Sequence, residues 1–237
     1  MNEAPAEVAA LAAPVNGLKP YYQDEWATIY HGDNRTILPH LGPFSLLLTD
    51  PPYGIGESSK KAASRGRIHG GGVPLVKDYG THDWDEKPVD RWVMELARSL
   101  CRNQVIFGGN YYNLPPSPCW LVWDKENSGD FADGELAWTN LSKAVRIRRH
   151  LWNGMIRKGQ EERFHPTQKP LEIMAWALSL VPDVTTVLDP WMGSGTTLRA
   201  CKDARKISVG IEMNERDCET AARRLSQEVL ALEGGTK

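Results

Sequence analysis

Thr185-Thr186-Val187-Leu188-Asp189-Pro190-Trp191-Met192-Gly193-Ser194-Gly195-Thr196-Thr197 passes from a short apolar run through an acid and a proline into two closely spaced glycines. We read it as a buried strand, a tight turn and the start of a helix. Glycines lack the Cβ that would block a ligand from the backbone. The first helical turn leaves N–H groups that intrahelical bonding does not use. The same pattern also occurs where a strand and a helix merely need to pack closely, so it calls for a second element.

That element is Gly210-Ile211-Glu212-Met213-Asn214, which follows the apolar run Ser208–Ile211. It places a carboxylate about twenty residues beyond the glycine turn, the spacing at which Rossmann-like folds hold ribose hydroxyls. The turn is not GxGxxG, and it opens on Asp189, whose charge would repel a pyrophosphate. A cationic nucleoside suits it better: the ammonium and sulfonium of S-adenosylmethionine are both positive. Asp189, Pro190, Trp191, Gly193, Ser194, Gly195 and Thr196 are therefore candidate cofactor-binding residues. Glu212 is expected on the ribose and Met213 against the adenine.

Leu46-Leu47-Leu48-Thr49-Asp50-Pro51-Pro52-Tyr53-Gly54 is a second apolar strand, ending in an acid, two prolines and an aromatic ring. By itself this is a rigid strand-terminating turn, because proline fixes φ and removes N–H donors. The combination also suits an exocyclic aromatic amine, whose lone pair is delocalised into its ring. If both N–H bonds donate to fixed acceptors, here the Asp50 carboxylate and the Pro51 carbonyl, the nitrogen can pyramidalise and direct its lone pair at an electrophile. Acceptors arranged in advance act most strongly where charge develops in the transition state. Tyr53 would stack on the base, and Pro52 keeps the turn stiff.

Working outward, strands are expected at Ala27–His31, Phe44–Thr49, Gln104–Phe107, Trp120–Trp123, Ala144–Ile147, Thr185–Leu188 and Ser208–Ile211. Helices are expected at Val89–Cys101, Leu171–Leu180, Thr197–Ala204 and Arg216–Leu232, where apolar residues recur every three to four positions. The alternation predicts an α/β fold with a mostly parallel sheet covered by helices on both faces. We expect one domain over residues 21–237 after a mobile arm at 1–20. Polar segments near 54–83 and 126–163 are inserted into it. The first of these is long for a loop in a compact domain, which points to binding.

The chain has 237 residues and a net charge of −2, which speaks against a uniformly basic coat for nucleic acid. Basic residues are nonetheless clustered. Lys60, Lys61, Arg65, Arg67 and Lys77 share Gly56–Lys77 with one acid, and Lys143, Arg146, Arg148, Arg149, Arg157 and Lys158 share Leu136–Gln160 with none. The four cysteines show no CxxC pairing or ligand spacing, so neither a disulfide framework nor a metal site is expected. No signal peptide or membrane span is expected, and we place the protein in the cytoplasm.

At this point the residues resemble a known family. Asp50-Pro51-Pro52-Tyr53 is similar to the catalytic motif of the amino-group (N6-adenine or N4-cytosine) DNA methyltransferases, in the beta-class order where this motif precedes the cofactor motif. Asp189–Thr197 resembles that family's DPFxGSGTT loop, with Trp191 in place of Phe. His165-Pro166-Thr167-Gln168-Lys169-Pro170 resembles the segment that lies on the methionine moiety. His31-Gly32-Asp33-Asn34 resembles the short motif whose acid contacts the cofactor's adenine amino group.

The resemblance implies a Rossmann-like, seven-stranded methyltransferase sheet with circularly permuted motif order and S-adenosylmethionine as cofactor. It adds Asp33 and Lys169 to the cofactor site. It also implies DNA recognition by the inserted segments, with Lys60, Lys61, Arg65, Arg67, Lys143, Arg146, Arg148 and Arg149 on phosphates. The expected reaction is methylation of the N6 amino group of a flipped-out adenine by a monomer or homodimer. N4-cytosine methylation is the nearest alternative, since that group more often carries Ser where this chain has Asp50. A protein-glutamine methyltransferase would carry Asn-Pro-Pro-Tyr after the glycine loop. A catalytically inactive DNA-binding relative is the third alternative.

Overall fold

A computed structural model describes residues 17, 19–54, 88–126, 132–152 and 168–227. Their strands form one mixed sheet: β1 (Tyr22–Gln23), β2 (Ala27–His31), β3 (Phe44–Thr49), β4 (Cys101–Phe107), β5 (Trp120–Asp124), β6 (Gly134–Thr139), β7 (Arg146–Arg149), β8 (Thr186–Asp189) and β9 (Ile207–Glu212). In space they run β1-β2-β9-β8-β3-β4-β6-β5-β7. The block β2-β9-β8-β3-β4 is entirely parallel, whereas β6 lies antiparallel between β4 and β5.

Among the described residues the sheet thus has nine strands rather than the seven expected. The two additions are β1, a two-residue edge piece, and β6, whose sequence Gly-Glu-Leu-Ala-Trp-Thr has no sustained apolar run. β7 begins two residues later than the expected Ala144–Ile147, and its four residues are all exposed. Among the described residues it is an edge strand held by β5 alone, so no hydrophobic pattern marks its limits.

The helices are α1 (Asn34–Ile37), α2 (Arg91–Ser99), α3 (Leu171–Ser179), α4 (Thr196–Asp203) and α5 (Glu215–Ser226). Both faces of the sheet are covered. Leu46 and Leu48 of β3 pack with Ile173, Ala177 and Ala200 from α3 and α4. Leu47, between them, packs on the other side with Ile37, Val93 and Ala97 from α1 and α2. A strand buried on both faces needs no polar alternation, and three consecutive leucines result. Among the described residues no helix is long and apolar enough to cross a membrane.

Registers decide where the loops fall. Leu47 lies opposite Leu188, Asp189 opposite Gly210, and His31 opposite Glu212. The carboxyl ends of β2, β9, β8 and β3 therefore share one rim, the edge at which open α/β sheets bind ligands. Residues about 140 apart in sequence become neighbours there, and Thr49 Oγ1 donates to Asp189 Oδ1 at 2.7 Å.

Candidate active site

Asp50 leaves β3 at this rim with both carboxylate oxygens engaged. Tyr53 folds back so that its hydroxyl donates to Oδ1 at 2.5 Å, and the Lys169 ammonium donates to Oδ2 at 2.5 Å. Tyr112 donates to the Pro52 carbonyl, pinning the turn from a separate segment. The Tyr53 ring stacks on Tyr111 with centroids 4.8 Å apart. It lies directly against Gly108, where φ is +64° and an added Cβ would overlap the ring. Only glycine meets both requirements there.

Lys169 is 7% exposed and is held by two acids, Asp50 and Glu135, the latter with Oε2 at 3.0 Å. Glu135 also pairs with Lys125 at 2.6 Å. Burial disfavours every charge in this chain of groups, but the balance differs along it. Burial pushes Asp50 above the usual carboxylate range against the opposing pull of Lys169. Glu135 is also penalised by burial, yet the two ammoniums hold it below the usual range. Burial and the Asp50 carboxylate together push the Tyr53 hydroxyl well up. Lys169 is raised despite its burial, because two carboxylates face it.

The half expected to hold the cofactor lies alongside. Glu212, at the end of β9, accepts from Gly193 N at 3.0 Å and Asn214 N at 2.8 Å, and burial pushes its pKa up to about 7. Gly193 has φ +50° and open space where a Cβ would sit. Gly195 has no such room, because a Cβ there would press into Ala221. The loop is braced from behind by Arg224 of α5, which donates to Ser194 O at 2.6 Å and Thr196 Oγ1 at 3.1 Å. Asn34 Nδ2 donates to Pro190 O at 2.6 Å, and Trp191 packs into the apolar cluster beneath. Asp189 is buried and takes hydrogen bonds from Thr49 and Trp191 N; burial lifts its pKa to about 6. Asp33 caps α1 through Arg35 N, and its carboxylate also receives the Arg35 guanidinium at 2.6 Å. Met213 is 62% exposed.

Asp50, Pro52 and Lys169 line one cleft of about 900 Å³ together with Asp33, Asp189, Gly193, Glu212 and Met213, whereas the expected site residues Pro51, Tyr53 and Gly195 are not among its lining residues. The sites expected separately for cofactor and catalysis are thus joined. Pockets of this size accommodate a cofactor or a drug-sized ligand.

Residues 81–223, more than half of the chain, match the N6/N4 methylase family model described as "DNA methylase". The chain belongs to the N6/N4 DNA methylase family. It is similar to the type II methyltransferase M.ScaI of Streptomyces caespitosus, at 25% identity over 90% of this chain and 86% of the relative. Its fold is that of the M1.HpyAVI–SAM complex, with a TM-score of 0.53 and 23% identity over 84% of this methylase and 99% of that chain. It is also that of PvuII DNA methyltransferase (cytosine-N4-specific), with a TM-score of 0.56 and 15% identity over 91% and 92%.

Of the basic residues expected on DNA, Lys60, Lys61, Arg65 and Arg67 lie outside the described residues of this methylase, as do Arg157, Lys158 and His165–Thr167. Lys143 is spent on the C-terminal end of α3, donating to Leu180 O at 2.5 Å. Arg146, Arg148 and Arg149 are exposed on β7, where Arg148 pairs with Glu172 at 2.6 Å and Arg149 with Asp124 at 3.2 Å. The sequence reading missed Glu135, Tyr111, Tyr112, Asn34 and Arg224. Glu135 sits one residue before the acid-free run from Leu136, and nothing around it marks a site. Arg224 looks like an ordinary surface charge on an amphipathic helix.

Proposed function

We propose that this methylase transfers a methyl group from S-adenosylmethionine to the N6 amino group of an adenine flipped out of DNA. The observation that carries the reading is the carboxylate of Asp50, fixed from two sides at the rim of the cleft that also holds Gly193 and Glu212. The residues fit that cofactor. Glu212 already accepts two backbone N–H groups, and each oxygen keeps a further lone pair for a ribose hydroxyl. Gly193 leaves its side of the cleft open, and Met213 supplies an exposed apolar surface for adenine. When bound, S-adenosylmethionine supplies a methyl group on a positive sulfur, which requires only a nucleophile in line with it.

Asp50 and the Pro51 carbonyl accept the two N–H bonds of the amino group, which frees the nitrogen lone pair to attack. A carboxylate oxygen can accept more than one hydrogen bond, so the bonds from Tyr53 and Lys169 orient Asp50 without using it up. Positive charge gained by the attacking nitrogen would be met by the Asp50 carboxylate, which would also take the proton that nitrogen sheds and pass it to solvent. Tyr53, whose ring is stacked on Tyr111 and does not line the cleft, would have to turn toward the cleft to offset part of the stacking lost on flipping, about 1–3 kcal/mol per base. Asp50 in place of Ser favours adenine over the N4 position of cytosine, for which the same scaffold serves.

The test is methyl incorporation from labelled S-adenosylmethionine into duplex DNA, followed by digestion to nucleosides. We expect N6-methyladenine from the wild type. Asp50→Ala should lose incorporation by at least about 10²-fold while cofactor binding measured by calorimetry is retained. N4-methylcytosine as product would move the reading to the alternative base, and turnover retained by Asp50→Ala would remove Asp50 from the chemistry.

A further inference from the structure

We infer that Glu135 is a positioning residue for methyl transfer: it shares the Lys169 ammonium with Asp50 and so sets both the direction and the basicity of the Asp50 carboxylate. The inference rests on Asp50 being the amino-group acceptor.

The geometry comes from the strand that the sequence did not disclose. β6 runs antiparallel to β4 and β5, with Glu135 opposite Trp123 and Ala137 opposite Phe107. An antiparallel strand brings its beginning to the rim where its parallel neighbours end. Glu135 therefore arrives beside a loop that follows β3, two strands away in the sheet. There the charges alternate as Lys125, Glu135, Lys169 and Asp50, at 2.6, 3.0 and 2.5 Å. The Glu135–Lys169 contact is an ion pair rather than an aligned hydrogen bond. Lys169 also faces the rings of Tyr53 and Phe107 at 5.6 and 5.8 Å, so its ammonium has little freedom.

A lone ammonium beside Asp50 would neutralise the carboxylate fully and compete with an incoming amino group. Sharing that ammonium with Glu135 leaves Asp50 the stronger acceptor. Among the described residues the groups facing Asp50 are Lys169 ahead of α3, Glu135 on β6, Tyr53 in its own loop and Asp189 at the end of β8. Tyr112 and Lys125 act at one remove, through Tyr53 and Glu135. Consistent with the geometry, the Glu135 charge raises Asp50.

The experiment measures single-turnover methyl transfer across pH for the full chain, with cofactor affinity and thermal unfolding in parallel. Glu135→Gln keeps the shape and removes the charge. We expect roughly a 10–100-fold slower transfer at neutral pH, less than about twofold change in cofactor affinity, and an acid limb shifted to lower pH, because one negative charge near Asp50 is gone. Glu135→Asp should return the limb toward wild type. A wild-type rate with an unmoved limb, in a background where Asp50→Ala is dead, would overturn the inference and leave the Asp50 reading intact. Turnover in Asp50→Ala would instead sink that reading. Should Glu135→Gln fail to fold, Lys125→Met decides: removing that cation should shift the limb upward, and an unmoved limb overturns the inference.

Discussion

Without the Lys169 ammonium, the Asp50 and Glu135 carboxylates, each largely buried, would lose the cation they share. Single buried partners are expensive to delete, because the charge left behind keeps its desolvation cost and loses its compensation. We expect Lys169→Met to destabilise the fold by about 3–5 kcal/mol, read from urea unfolding. A loss below about 1 kcal/mol would mean that the two acids relieve each other by sharing a proton. The same side chain also abolishes a simple division of labour. The resemblance puts Lys169 on the methionine moiety, and the structure puts its Nζ on the proposed catalytic acid, so one residue borders both halves of the cleft. The ion pair between Arg35 and Asp33 is different in kind. Both partners are substantially exposed, so a ligand can displace the guanidinium at little cost.

Among the elements, β3, β8 and β9 were legible because two-sided burial writes a continuous apolar run. β6 was not, because it lies antiparallel with a half-polar sequence, and β7, expected at Ala144–Ile147, was placed two residues early because an exposed edge strand has no apolar pattern to mark its ends. β7 nevertheless carries Arg146, Arg148 and Arg149 outward, and the acids opposite Arg148 and Arg149 are themselves partly exposed. Exchanging those acids for phosphates releases counterions from DNA at little cost in protein stability. We expect Arg148→Ala combined with Arg149→Ala to reduce the slope of log affinity against log salt by about 1–2, with unfolding unchanged. An unchanged slope would place β7 away from the duplex.

Over the whole molecule, the cleft gathers acids whose ionisation works against the folded state without ligand. Burial lifts Glu212 from an ordinary 4.5 to about 7 and Asp189 from 3.8 to about 6. A raised acid favours folding below its unfolded pKa and loses that contribution as pH rises through its folded value. The stability these two groups provide should therefore fade between about pH 4 and pH 7. Glu212→Gln, which cannot ionise, should flatten the dependence of Tm on pH over that window, whatever its mean effect. Parallel Tm curves would show that Glu212 ionisation is not coupled to folding. Asp50-Pro51-Pro52-Tyr53, the Asp189–Thr197 loop and Glu212 could be found in the sequence because each is a local device: a stiff turn, a glycine approach, an acid ending a strand. Local chemistry leaves a local signature, and it determined the α/β class, the parallel core and about half of the residues that border the cleft. Only the tertiary structure decided that Thr49 bonds Asp189, that Arg224 braces the glycine loop, and that Glu135 reaches Lys169 and through it Asp50. Those contacts depend on strand order and direction, which fix which distant residues meet at the rim and which no spacing along the chain encodes.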